Sequence, residues 1–225
     1  MLLVQLGVLV ALASTVGLNA VGWLVGLACG AVSATVVARA VRLGPADRVT
    51  LARATLVGGV AALTAGSFVG ATPVQTLVGL CVVALLLDGV DGQVARRTGT
   101  ASDLGARLDM EVDAFLILVL SVYVSTTVGP WVLALGAAHY LLLLSGVALP
   151  WLRQPSPPRY WGKVVAATTG IALTLASAGV LPVALTSAIL LVVLGLLTES
   201  FGRQVWWLRR HRAAVPERAS EVVLT

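Results

Sequence analysis

Charge is what this sequence has least of: only 11% of its 225 residues are Asp, Glu, Lys or Arg, and a single lysine, Lys163, stands among the 15 basic residues. A soluble surface cannot be covered at that density, and 58% apolar residues with a mean hydropathy of +0.98 exclude a cytosolic globular enzyme and a disordered chain alike. Cysteine is almost missing. Cys29 and Cys81 each lie inside an apolar run, where a thiol behaves as a small hydrophobe, so neither a disulfide scaffold nor a thiolate metal site is expected. The two histidines, His139 and His211, have no partner at motif spacing and are expected to be satisfied or exposed. No charge precedes Arg39, so the basic n-region of a cleaved signal peptide is lacking and the N-terminal segment is expected to be retained.

What fills the chain instead is apolar sequence. At roughly 20 residues per bilayer span, about eight crossings fit, with about 65 residues over for loops and a tail. The expected fold is an all-α polytopic membrane protein. Residues 1–38 are uncharged and too long for one straight span, which suggests a two-helix hairpin turning near Gly17 to Asn19. In its second half Gly22, Gly26, Gly30, Ala34 and Ala38 recur every four residues. They form a smooth stripe that another membrane helix can approach closely, a second copy's being one candidate.

Residues 39–53, with Arg39, Arg42, Asp47, Arg48 and Arg53 around Pro45, are expected to lie at the membrane surface. Residues 54–202 hold six further apolar runs, the expected catalytic domain, and 203–225 form a basic tail suited to anionic lipid, with Arg203, Arg209 and Arg210 beside Trp206 and Trp207. Short uncharged turns alternate with charged ones. If the hairpin has both ends in the cytoplasm, all 15 basic and all ten acidic residues fall on that side, and the positive-inside bias puts both termini there too. The net charge of +5, scattered singly between spans, therefore reports orientation, and no nucleic-acid partner is expected.

The chemistry concentrates in four aspartates. On helices, Asp88 and Asp91 are three residues apart and Asp109 and Asp113 four apart, so each pair shares a face. The short loop between the pairs makes their helices antiparallel neighbours and lets the carboxylates converge. Such a cluster at the edge of a low-dielectric slab is costly unless neutralised. All-oxygen ligation without His or Cys favours a hard dication, Mg²⁺ first with Mn²⁺ or Ca²⁺ possible, and two such ions suit phosphoryl chemistry. Gly92, Ala95 and Gly105 leave the backbone open to a bulky phosphate or a neighbouring helix, and Arg96 offers a charged fork.

The complete pattern, Asp88-x2-Asp91-Gly92-x2-Ala95-Arg96-x8-Gly105-x3-Asp109-x3-Asp113, resembles the signature of the CDP-alcohol phosphatidyltransferase family without gap or substitution. Pro45, Thr50 and Arg53 resemble the family's Pro-Asn-x-x-Thr-x-x-Arg element, with Asp47 where Asn is usual, and Gly162-Lys163 resembles the Gly-Lys opening its fifth helix. Val164, Val165 and Ala114 depart from the family's usual residues. The resemblance covers about residues 45 to 200, leaving the hairpin as an addition to a six-helix core.

It implies that an alcohol attacks a CDP-linked lipid, CDP-diacylglycerol for choice, at the phosphorus next to the diacylglycerol and releases CMP. Asp88, Asp91 and Asp109 are then metal ligands, and Asp113 is both a metal neighbour and the candidate base for the acceptor hydroxyl. Thr50, Arg53, Gly92, Ala95, Arg96 and Gly105 would meet the CDP-lipid. A phosphorylated acceptor would find Arg153, Arg159 and Lys163 around the entry to the fifth core helix, where unpaired backbone N–H groups favour an anion. A homodimer in a bacterial cell membrane is expected. Glu111 points away from the aspartates and is expected in solvent or beside Arg107, and Asp103 is expected to cap its helix. A membrane cation transporter is the alternative, but it would want its charges near mid-bilayer, not at one end of the spans.

Overall fold

A computed structural model describes residues 1–39, 44–98, 103–149 and 160–210, and within 91–98 it fixes the helix but not the side chains. Among the described residues there are eight α-helices and no strand: α1 (Leu2–Val16), α2 (Ala20–Arg39), α3 (Pro45–Gly66), α4 (Val74–Thr98), α5 (Asp103–Val128), α6 (Leu133–Ala148), α7 (Tyr160–Ser177) and α8 (Val183–Arg210). A single 3-10 turn, Pro130–Val132, leads into α6. The all-α architecture expected from composition is what forms, and the first break falls at Gly17 to Asn19, as expected. Gly17 and Gly179, at φ 75° and 65°, occupy the left-handed region that a side chain disfavours.

Among the described residues five helices, α2, α3, α5, α6 and α8, contain segments long and apolar enough to cross a membrane, so the chain is an integral membrane protein. Three of the expected spans fall outside that set: α1 has 15 residues, about 22 Å at 1.5 Å per residue against a hydrocarbon core of about 30 Å, the apolar part of α4 ends at Val90, and α7 has 18 residues, about 27 Å.

The core is organised on α3, which packs against α1, α2, α4 and α5. Val57, Val60, Ala61 and Leu63 of α3 join Leu77, Cys81 and Ala84 of α4 and Leu116 and Leu120 of α5 in one buried cluster. Four buried hydroxyls are satisfied by their own helices, Ser121, Thr169, Thr174 and Ser177 each donating to the carbonyl four residues earlier, whereas the buried Thr64 Oγ1 of α3 has no hydrogen-bond partner among the described residues. A Cβ on Gly136 would lie 2.6 Å from Leu118 Cα, so that glycine lets α6 approach the α5 backbone.

The small-residue stripe is used inside the chain. A Cβ on Gly22 would meet the Ala62 carbonyl of α3 at 2.8 Å, one on Gly26 would meet Leu9 of α1 at 2.4 Å, and one on Gly30 would meet Gln5 at 2.8 Å. The glycines therefore seat α2 against α1 and α3, and their face is not open to a second copy. Asn19 locks the same corner: its Nδ2 donates to the Gly66 carbonyl and its Oδ1 accepts the Gly22 N–H, both at 2.9 Å.

The boundaries expected at 53/54 and 202/203 both fall inside helices. Residues 45–53 are the opening turns of α3, buried at Asp47, Thr50 and Arg53, because their charges are paired within the protein. Asp47 accepts the Gly44 N–H at 2.8 Å and so caps the start of α3. Residues 203–210 continue α8, where Arg203 pairs with Glu199 one turn earlier and Arg209 and Arg210 complement the helix C-terminus.

Candidate active site

Three helices bring the candidate residues together. Asp88 lies on the polar end of α4, Asp109 and Asp113 lie one turn apart near the start of α5, and Arg53 enters from the first half of α3. One carboxylate oxygen from each of the three aspartates lies within 4.8 Å of the others. Their convergence, expected from the helical spacing, is what the fold produces.

The position of Arg53 was not expected. Sequence reasoning set it against the CDP-lipid, but its side chain is only 1% exposed and lies among the carboxylates. Nη1 contacts Asp88 Oδ1 at 3.0 Å and pairs with Asp109, while Nη2 pairs with Asp113. Nε donates to the Ala84 carbonyl at 3.2 Å, one turn before Asp88 on α4. The aspartate side chains keep 33%, 26% and 29% exposure at Asp88, Asp109 and Asp113, so the carboxylates have an open side and the guanidinium closes the buried one. Thr50, one turn before Arg53, is buried on the same face of α3.

The donor set fits a hard dication. Three ionised carboxylates against one guanidinium leave two negative charges, which one divalent ion neutralises. Oxygen atoms that close to one another can share a single ion, since Mg²⁺ and Ca²⁺ ligands sit roughly 2.0–2.6 Å from the metal. Asp91, Gly92, Ala95 and Arg96 are carried by the last turns of α4, and their side chains lie outside the described residues. Gly105 stands on the first turn of α5, and Asp103 is that helix's first residue.

A narrow cleft opens beside the carboxylates, lined by Asp88, Asp113, Leu85, Leu116, Ala166 and Gly170. Lys163 is exposed on the first turn of α7, three, four and seven residues before Ala166, Ala167 and Gly170, and so shares the helix face that walls this cleft. Its turn is braced from α8, where Glu199 accepts the Trp161 indole N–H at 3.0 Å and pairs with Arg203. A lone acid at the end of an apolar run was the only sequence sign of that brace. Arg153 and Arg159 lie outside the described residues.

Glu111, between Asp109 and Asp113 in sequence, faces α6 and sits 3.3 Å from His139 Nε2, so its partner is that histidine and not Arg107. His139 is thereby satisfied, and its ring also meets Tyr140 edge-on.

Neither a curated protein nor a solved structure matches the chain significantly. A sequence model of the CDP-alcohol phosphatidyltransferases matches residues 43–199, which takes in Arg53, all four aspartates and Lys163 and stops short of the N-terminal hairpin. With most of its length matched, the chain belongs to the CDP-alcohol phosphatidyltransferase family, membrane transferases of phospholipid biosynthesis that pass a substituted phosphate from a CDP-alcohol to an alcohol acceptor.

Proposed function

We propose that the protein transfers the phosphatidyl group of CDP-diacylglycerol to a phosphorylated alcohol, of the glycerol 3-phosphate or inositol phosphate type, releasing CMP on the cytoplasmic face of a bacterial membrane. The observation that carries this reading is the meeting of Asp88, Asp109 and Asp113 around Arg53 at the polar end of an apolar helix bundle. Lipid tails can stay in the bilayer there while the head group reacts at its edge. Family membership favours this chemistry over cation transport, and the acids lie near the polar ends of α4 and α5.

Asp88, Asp91 and Asp109, with Asp113 beside them, would hold Mg²⁺ or Mn²⁺, two ions if Asp91 completes a second position. Bound metal supplies charge neutralisation at the pyrophosphate and at the departing CMP. Asp113 takes the proton of the acceptor hydroxyl as its oxygen forms the new bond to phosphorus, and the bond from that phosphorus to CMP breaks. Thr50, Gly92, Ala95, Arg96 and Gly105 are assigned to the CDP-lipid. Lys163 is assigned to the acceptor's phosphate because it shares a face with the cleft beside Asp113, and Arg153 and Arg159 are assigned with it from the sequence. The homodimer expected from the sequence needs a face other than the glycine stripe of α2.

The test incubates membranes holding the protein with radiolabelled CDP-diacylglycerol and a panel of acceptors, following CMP and the lipid product. EDTA should abolish turnover and Mg²⁺ or Mn²⁺ restore it; full activity after exhaustive chelation refutes the metal assignment. Lys163→Ala should raise the KM for a phosphorylated acceptor with a smaller effect on the CDP-lipid. Preference for an uncharged alcohol, or an unchanged KM, shows that the basic cluster only anchors the protein.

A further inference from the structure

Arg53 is the most buried large side chain of the site and the one whose position its sequence motif did not announce. All three of its guanidinium nitrogens are engaged: Nη1 by Asp88 and Asp109, Nη2 by Asp113, and Nε by the Ala84 carbonyl. Its ion pairs with Asp88, Asp109 and Asp113 meet Oδ1 of each carboxylate. A guanidinium stays charged at any pH the protein meets, so this positive charge is permanent. A side chain anchored to a backbone carbonyl of α4 and to carboxylates on α4 and α5 cannot also reach out to a lipid phosphate on the exposed side.

We propose that Arg53 is the built-in counter-ion of the metal centre, a positioning residue acting through Asp88, Asp109 and Asp113. The proposal rests on the reading of those aspartates as metal ligands. Its guanidinium keeps three carboxylates assembled in a low-dielectric bundle without help from any ion, because each loses one negative neighbour's worth of repulsion to the shared positive charge. The same charge lies within a few ångströms of wherever a dication joins those carboxylates, and repels it. Arg53 therefore makes the centre stable between loading events and loosens its hold on the metal. An exchangeable ion suits a site that must bind a metal-bridged pyrophosphate and then release CMP.

A purely structural ion pair would stabilise the fold but leave metal affinity alone, and a residue that only orders ligands would raise it. The counter-ion role predicts the opposite sign. Detergent-purified wild type, Arg53→Gln and Arg53→Lys are compared by direct Mn²⁺ binding, read from the free-ion paramagnetic resonance signal, and by thermal melting in EDTA and in Mn²⁺. Arg53→Gln should bind Mn²⁺ about tenfold tighter or more, melt lower than wild type in EDTA, and recover most of that loss in Mn²⁺. Arg53→Lys, which keeps the charge, should stay within a few-fold of wild type. Should Arg53→Gln fold poorly, the double variant Arg53→Gln with Asp109→Asn removes one charge of each sign and should melt higher in EDTA than Arg53→Gln alone. Unchanged or weaker Mn²⁺ binding by Arg53→Gln, or a double variant less stable than the single, overturns the counter-ion role. A wild type that binds no Mn²⁺ at all overturns the metal centre itself and the proposal with it.

Discussion

Asp109 and Asp113 share one face of α5 and pair with the same guanidinium, yet their expected duties differ. Asp113, unlike Asp109, also lines the cleft walled by α7, the helix that carries Lys163. Replacing it with Asn keeps size and one acceptor oxygen but removes the proton-accepting charge. Asp113→Asn should therefore depress kcat by on the order of 10²-fold or more, the range of a lost general base, with little change in CDP-lipid binding. Asp91→Asn should damage both turnover and binding. Single-turnover kinetics beside a lipid-binding measurement separates the two, and wild-type turnover in Asp113→Asn would end its assignment as base.

Among the elements, what a sequence can show is set by how local the information is. The convergence of Asp88 with Asp109 and Asp113 was legible because helical periodicity and a short connecting loop act over a few residues. The pairing of Arg53 with Asp109 and Asp113 spans 56 and 60 residues, and that of His139 with Glu111 spans 28, and neither separation leaves a periodic trace. Charge misled at residues 45–53 for a related reason: Asp47 and Arg53 read as surface residues until their partners on the backbone and on other helices are known. The glycine stripe of α2 was legible as a contact face, but which helix would fill it was not, since α1, α3 and a second copy all present apolar surface. The fold's answer gives a sharp expectation. Gly22→Val puts a branched side chain against the Ala62 backbone carbonyl, which cannot rotate away, and should cost about 1–3 kcal/mol or force α2 off α3. Gly7→Ala on α1, where an added Cβ meets nothing within 4 Å, should be neutral or slightly stabilising. Melting in detergent compares the two, and equal tolerance would mean that the α2–α3 packing is not what holds the hairpin.

For the molecule as a whole, the question is what α1 and α2 do for a site that they do not touch. They lie outside the family match, and residues 1–38 carry no charged side chain. Yet they cover the far side of α3, the helix that delivers Arg53: Gln5, buried on α1, reaches Gly58 of α3, where an added Cβ would meet its amide at 2.9 Å. Arg53 and Gly58 are five residues apart, so the hairpin braces α3 little more than a turn from the guanidinium. The surface it covers, around Gly58, Gly59 and Ala62, is apolar or small and can face lipid tails without an unsatisfied polar group, so its exposure should be tolerated. Deleting residues 1–38 should then lower the melting temperature, or change the oligomeric state, while detergent-solubilised protein keeps measurable CMP release. The metal-holding carboxylates stand on α4 and α5, and a looser α3 would withdraw the repelling charge of Arg53, so the truncated protein should need no more Mg²⁺ than the full chain to reach its own maximal rate. A truncation that folds but is wholly inactive at saturating Mg²⁺ would show instead that the hairpin supplies part of the site.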